Sequence, residues 1–442
     1  MNTSKKALFS WYMYDWAYSA FAVTVLAGFF PLFFNKYWSA GAHTNLSTFR
    51  LGVGSTVAGL LIAFLSLFMG SIVGVGRGKK RFLALFMLLG TTSTFGLYFI
   101  SHGNWLGALI VFILGNIGFS CSDLFYNSLL VDVAEKKKMD RVSSIGFSFG
   151  YLGCGILFLV NVLMVTYPNF FGFESEIHAI RVSFLTVAIW WGVFSVPLFL
   201  FVKEKEIRYS QVTKPALLNT LSNLKNTFRL IAKNRSVFLF ICAYWLYIDG
   251  LNTFIRMAID FGLSIGFSSR ALMIALLAVQ FIAFPSALGF GLLARYFGAQ
   301  KMILFGILIY IVVIGGGAFV LENEIQFIIL ASLTAIAQGG IQALSRSYYG
   351  KLIPQGKASE YFGFYNVVGR FAVAGPLLVG MVTFFSHLLG LKATLASRVG
   401  MSSIVLLFVS GAVFLIMAEK TRKKVSISSI GNVDVKIVGE KI

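Results

Sequence analysis

The sequence predicts an all-α membrane protein with twelve transmembrane helices in two pseudosymmetric six-helix bundles. Three observations predict this. First, the 442 residues are 57% hydrophobic and only 12% charged, with mean hydropathy +0.82, where soluble chains carry about a quarter charged residues. Second, apolar stretches of roughly 20 residues recur along the whole chain, each long enough to cross a hydrocarbon layer about 30 Å thick. Third, landmarks of the first half return in the second. Backbone amides find no water in lipid, so such stretches must be helices. The period-two alternation of a transmembrane barrel is absent.

In chain order the spans fall near 9–34, 51–74, 82–101, 105–130, 142–167, 181–202, 237–262, 270–293, 302–321, 325–345, 362–386 and 399–418. The first run is too long for a signal-peptide core and lacks a small-residue cleavage site, so it stays as a helix. The division is then 1–202 as an N-terminal six-helix bundle, 203–236 as a linker, 237–418 as a C-terminal bundle and 419–442 as a tail. In the linker, Leu217, Leu221, Leu224, Phe228 and Ile231 follow Pro215 at helical spacing. They read as an amphipathic helix on the inner membrane surface rather than a solvated connector. The tail is polar and lysine-rich and is expected to be disordered.

The net charge of +20 raises nucleic acid as a partner, but its distribution excludes it. Odd-numbered connections hold scattered Lys36, Arg50, Arg181, Arg270, Lys392 and Arg398. Lys5 and Lys6, Arg77 to Arg81, Lys136 to Arg141, the 203–236 linker and the tail hold the clusters. This asymmetry puts both termini and the linker in the cytoplasm. The setting is the inner membrane of a bacterium or a vacuolar-type membrane of a eukaryote, with lipid as the surrounding partner and the chain a monomer. Cys121, Cys154 and Cys242 lie in separate spans as small core residues, and His43, His102, His178 and His387 are scattered at span ends. Neither set has metal-ligand spacing, so no metal or cofactor is expected.

Ionisable groups inside a span cost at least about 2.5–3.5 kcal/mol each on insertion scales, so they face a cavity or a partner. Span one has Asp15 beside Tyr14 and Ser19. Asp15 lies ~13 Å along the helix from Lys6, which suits a structural or gating ion pair with a basic group, or contact with substrate. Span four places Asn116, Asp123 and Asn127 on one helix face, with Tyr126 beside them. Span seven has Asp249, Asn252, Thr253, Arg256 and Asp260 at three- and four-residue spacing. Arg256 and Asp260 either neutralise each other one turn apart or serve the site. Asp249 has no basic residue within a turn and reads as a protonatable or substrate-facing carboxylate. Span ten adds Gln338, Gln342, Ser345 and Arg346, and span eleven Asn366 and Arg370. Gln342 and Arg370 are expected to line a central cavity. Asp132 and Arg346 are assigned to cytoplasmic ends and gating.

"GSIVGVGRGKKR" (Gly70–Arg81) joins spans two and three, and "GLLARYFGAQK" (Gly291–Lys301) joins spans eight and nine, starting 221 residues later. "DWAYSAF" (Asp15–Phe21) is echoed by "DGLNTF" (Asp249–Phe254). Parallel six-helix repeats with a site between them are a transporter architecture, and pseudosymmetry puts Asp15 and Asp249 near the axis between the halves. The two loops resemble the glycine-and-basic signature of the major facilitator superfamily. Gly70, Arg77, Lys80, Gly291, Arg295 and Gly298 are the gating-loop candidates, although Gly74 and Arg295 stand where that signature has an aspartate.

A narrower resemblance rests on "YDWAYSAF" (Tyr14–Phe21), "FYNSLLVD" (Phe125–Asp132), "VSSIGFSFGYLG" (Val142–Gly153), "YWLYIDGLNTF" (Tyr244–Phe254), "QGGIQALSRSYYGKLIP" (Gln338–Pro354) and "YFGFYNVVGRFAVAGP" (Tyr361–Pro376). In this order the motifs resemble the autophagy-related protein 22, or vacuole effluxer, family. Tyr18 stands where its first motif usually has asparagine. The resemblance implies a major facilitator fold and efflux of small solutes such as amino acids.

The residues point to a secondary transporter moving a small polar solute by alternating access, with an ion gradient, protons included, as the energy source. "GGGAF" (Gly315–Phe319) lies mid-span and lacks the lysine and hydroxyl of a phosphate-binding loop. A membrane-embedded enzyme is the alternative from another class, but no HExxH or paired-acid motif occurs. A non-transporting receptor or scaffold is the third reading and requires a dry centre.

Overall fold

The structure is a computed structural model. It describes residues 4–439 except 42–43, 74–77, 205–225, 227, 265, 355 and 371–373. Twelve helices long and apolar enough to span a membrane occur among the described residues. The first is α1 (Lys5–Trp38). It is α-helical to Ala20, widens into a π-helix over Phe21–Phe29, and does so again over Phe34–Trp38. Pro31, which has no N–H to donate, sits in the short α-helical turn between the two wide stretches. The first half continues with α2 (Thr44–Val73), α3 (Lys79–Gly96), α4 (Trp105–Val133), α5 (Met139–Thr166) and α6 (Glu176–Phe201).

The second half comprises α7 (Arg235–Ser264), α8 (Ser269–Phe297), α9 (Ala299–Val320) and α10 (Glu324–Leu352). Span eleven comprises α11 (Ala358–Arg370) and α12 (Ala374–Leu388), and span twelve α13 (Ala393–Ser402) and α14 (Val405–Gly439). Several spans begin on a capping side chain: Ser4, Asn104, Ser175, Ser268 and Asn323 each accept a first-turn backbone N–H. That satisfies a donor lipid would leave orphaned.

The backbone of the tail continues α14 helically to Gly439. A helix already nucleated within the membrane adds one hydrogen bond per further residue, so a polar extension propagates from it cheaply. Most of the linker helix expected over 217–231 lies outside the described residues. Its described end, 228–233, is helical, with Ile231 buried and Phe228 exposed.

Each half has its own apolar core, one built from residues between Trp11 and Val202 and the other from residues between Ile231 and Ala418. The halves meet where α2 packs on α11 and where α5 packs on α8 and α10. Small residues make this approach possible. A Cβ on Gly70 would lie 2.7 Å from the Ser359 carbonyl, one on Gly363 2.8 Å from the Ser66 carbonyl, and one on Gly291 2.4 Å from the Ser144 Cβ. All these contacts lie toward the end that holds the start of α1, hereafter the near end.

Candidate functional site

The near end is shut by one arginine. Arg346, on α10, is 1% exposed and projects into a socket made wholly by the first half. Its Nη1 and Nη2 each lie 3.3 Å from Asp15 Oδ2. Nη1 also donates to Asn127 Oδ1 at 3.1 Å. Nε donates to the Ser143 hydroxyl at 2.8 Å and Nη2 to the Ser143 carbonyl at 2.9 Å. Those bonds engage all five guanidinium N–H groups. The guanidinium carbon also lies 4.1 Å from the Phe147 ring centroid and 4.9 Å from that of Trp11, an arrangement favourable to a cation. Asp15 is completed by the Tyr126 hydroxyl, which donates at 2.7 Å.

Other bonds reinforce this closure between the halves. Lys351 pairs with Asp140, which also accepts from the Ser347 hydroxyl at 2.7 Å. The hydroxyls of Ser143 and Ser148 donate to the Ala343 and Phe284 carbonyls at 2.7 and 2.9 Å.

Beyond the socket lies a cavity of about 350 Å³ between the halves, within the range of small-molecule sites. Its wall reaches Leu26 and Ala27 of α1, Ala258 of α7, Leu272 of α8 and Phe327 of α10, all on far-end portions of their helices. Three charged side chains take part among the described residues: Asp123, Arg256 and the flank of Arg346. Asp123 Oδ1 accepts from the Tyr18 hydroxyl at 2.8 Å and from Asn127 Nδ2 at 2.9 Å. Its Oδ2 lies 3.4 Å from Asn366 Nδ2, which also donates to the Ser120 carbonyl at 3.0 Å. Opposite is an amide-rich face: the Tyr151 hydroxyl donates to Gln342 Oε1 at 2.7 Å and receives Gln338 Nε2 at 3.2 Å. Gln280 joins the wall beside Cys154. One side of the cavity thus presents a carboxylate, another uncharged hydrogen-bonding groups, and the far-end wall is apolar.

Of the candidates expected from sequence, the structure places Asp123, Asn127, Asn252, Arg256, Gln338, Gln342, Asn366 and Arg346 in this wall. Tyr14 and Tyr126 are buried behind it, Tyr14 against the Tyr18 and Tyr126 rings. Asp15 does find a basic partner, which is Arg346 in the opposite half. Arg346, assigned from sequence to a cytoplasmic end and to gating, lies at the buried centre of the closure.

Asp249 is a correction. It is 1% exposed and does not reach the cavity wall. Its Oδ2 accepts the Gly375 N–H at 3.0 Å, and its Oδ1 the Thr253 hydroxyl at 3.2 Å. A carboxylate at the start of α12 satisfies a first-turn donor and the helix dipole. Both bonds stay inside the second half, so Asp249 does not share the position of Asp15 between the halves. Asn252, one turn further along α7, reaches the Gly369 carbonyl near the end of α11 at 3.0 Å. The side chains of Asp260 and Arg370 lie outside the described residues, and so do Gly74 and Arg77.

The gating-loop candidates also divide. Gly70 and Gly291 sit at the close approaches between halves, and Gly298 (φ +87°) turns the chain into α9. Arg295 is exposed. Lys80 acts within the first half: its Nζ donates to the Phe199 and Val202 carbonyls at the end of α6, at 2.8 and 2.7 Å. Glu204 returns the arrangement by accepting the Gly78, Lys79 and Lys80 N–H groups at the start of α3, at 2.9, 3.2 and 2.8 Å. Lys79 pairs with Asp132 at 2.8 Å. The acid that the loop lacks is therefore supplied from the ends of α4 and α6.

Sequence reasoning missed Tyr151, Gln280, Tyr244 and Tyr365 in the wall. Gln280 was detectable as the single side-chain amide of its span. The tyrosines carried no such signal, because tyrosine is equally at home in aromatic packing.

Comparison with known proteins agrees with this architecture. The family described as "Vacuole effluxer Atg22 like" matches residues 40–139 and 131–428. An uncharacterized MFS-type transporter of Bacillus subtilis (strain 168), YxiO, is 37% identical over 94% of this chain and 96% of that one. Among solved structures, the human organic anion transporter MFSD10 (TETRAN) superposes with a TM-score of 0.70 at 12% identity, covering 93% of this chain and 99% of that one. A bacterial homologue of the iron transporter ferroportin, in an outward-facing state, gives 0.64 at 11% identity over 95% and 100% of the respective chains.

Proposed function

The chain belongs to the vacuole effluxer Atg22-like family and has the major facilitator fold, and from that premise we propose that it is a secondary active transporter of a small zwitterionic solute of the amino-acid class. The observation that carries the proposal is the cavity between the halves, whose wall holds the Asp123 carboxylate and the Arg256 guanidinium among amides, phenols and apolar groups. Asp123 receives the ammonium of the solute, and Arg256, also in the wall, receives its carboxylate. The arrangement discriminates because each charge finds its complement only when both ends of the solute are seated.

The cavity reaches toward the far end, the near end opens when the Arg346 socket separates, and the halves rock about the site. An ion gradient drives accumulation, and the proton is the ion we assign, carried by a carboxylate of the Asp15–Asp123 region. Both termini face the cytoplasm, the direction is efflux from the cytoplasm or from a storage compartment, and one chain suffices. The test is exchange of a labelled amino-acid panel in proteoliposomes, with and without a pH gradient. Exchange of one class, lost in Asp123→Asn while the purified variant keeps its melting temperature, supports the reading. No exchange of any zwitterion, or full exchange by Asp123→Asn, refutes it.

A further inference from the structure

Among the described residues, Asn127 is the side chain that bonds both the cavity carboxylate and the plug that closes the near end. Its amide is used in both directions: Nδ2 donates to Asp123 Oδ1 at 2.9 Å, and Oδ1 accepts from Arg346 Nη1 at 3.1 Å. Asp123 fixes which way the amide points. With Nδ2 turned toward a carboxylate, Oδ1 must turn toward the guanidinium, so the amide dipole lies along the line from anion to cation. Asn127 is 6% exposed, sits on the wall, and is one helical turn from Asp123 on α4.

We infer that Asn127 is a positioning residue that reports solute occupancy at Asp123 to the Arg346 socket, and so couples solute binding to opening of the near end. This rests on the reading of Asp123 as the ammonium site. A solute ammonium at Asp123 competes with Asn127 Nδ2 for the same oxygen. Once displaced, the amide is free to turn, and Arg346 loses the neutral side-chain amide among its partners from the first half. The remaining anchors are Asp15 at 3.3 Å and the two Ser143 oxygens at 2.8 and 2.9 Å. The shared Nη1 then has a single, long contact to Asp15, and the socket parts more readily.

The test reads the near end directly and needs no solute in its first arm. Ser359, whose backbone packs against Gly70, is replaced by Cys in a background without the three native cysteines, and its labelling rate by a soluble maleimide reports opening. Asp123→Ala, which removes the acceptor for Asn127 Nδ2, is expected to raise labelling about 10-fold when Asn127 is present. In Asn127→Asp, which keeps an acceptor for Arg346 but has no N–H for residue 123, the same change is expected to have less than a two-fold effect. Asn127→Leu is expected to label rapidly whatever occupies 123. Equal effects of Asp123→Ala in the parent and in the Asn127→Asp variant overturn the inference.

The second arm adds the amino acid with the highest exchange rate. That solute is expected to accelerate labelling in the parent and not in Asn127→Asp, whose turnover per bound solute falls at least 10-fold. Loss of affinity with unchanged turnover per bound solute also overturns the inference. If no amino acid exchanges, the functional reading fails on its own terms, while the solute-free arm still decides whether residues 123 and 346 are coupled through Asn127.

Discussion

Replacing Arg346 by Met is the most demanding test of the near-end closure. The side chain is 1% exposed and its five N–H donors are spent on Asp15, Asn127 and Ser143. Methionine fills much of the same volume but leaves Asp15, itself 1% exposed, with the Tyr126 hydroxyl as its remaining side-chain donor among the described residues. Breaking a buried ion pair from one side costs about 3–5 kcal/mol, most of it the stranded charge. Because the pair joins the two halves, that cost falls on the near-closed state rather than on either half. At ~1.4 kcal/mol per factor of ten, the closed population should drop by roughly two to three and a half orders of magnitude relative to the near-open state. The assay is maleimide labelling of a Ser359→Cys reporter together with thermal unfolding of the purified protein. The decisive variant is the double replacement Asp15→Asn/Arg346→Met, in which no charge is stranded. It should be less perturbed than the sum of the two single changes by about 0.5–3 kcal/mol, the usual size of coupling between contacting residues. Additivity within ~0.5 kcal/mol would refute the reasoning, because the pair would then not be acting as a pair.

Three further outcomes are expected. Gly118→Ala should lower the melting temperature and reduce folded yield, since its Cβ would lie 2.3 Å from the Gly90 backbone nitrogen and backbone cannot step aside. Overpacking of this kind costs about 1–3 kcal/mol, and a stability change near zero would contradict so close an approach of α3 and α4. Asp249→Asn should keep solute affinity within about two-fold and lose about 0.3–1 kcal/mol of stability, the size of a helix-terminus charge effect; a large affinity loss by equilibrium binding would return Asp249 to the solute site. Cysteines placed at Ser210 or Ser426 in a cysteine-free background should resist an impermeant reagent in intact cells, and ready labelling there would reverse the topology.

The membrane class, the number of spans and the two-half division followed from composition and periodicity alone. Apolar length and helical hydrogen bonding in lipid are local properties, so a run such as 105–130 declares itself without its neighbours. The existence of intramembrane polar stripes was equally legible, because each Asp, Asn or Arg in such a run is individually costly. What each polar group does was decided only by tertiary structure. Asp15 and Asp249 stand in similar local contexts, yet one pairs with an arginine 331 residues away and the other caps a helix of its own half. Arg346 looked like an interfacial charge near the end of its span and proved to be the plug of the closure, because its socket is assembled from α1, α4 and α5. Partner choice across hundreds of residues depends on which helix faces meet, and no local pattern encodes that meeting.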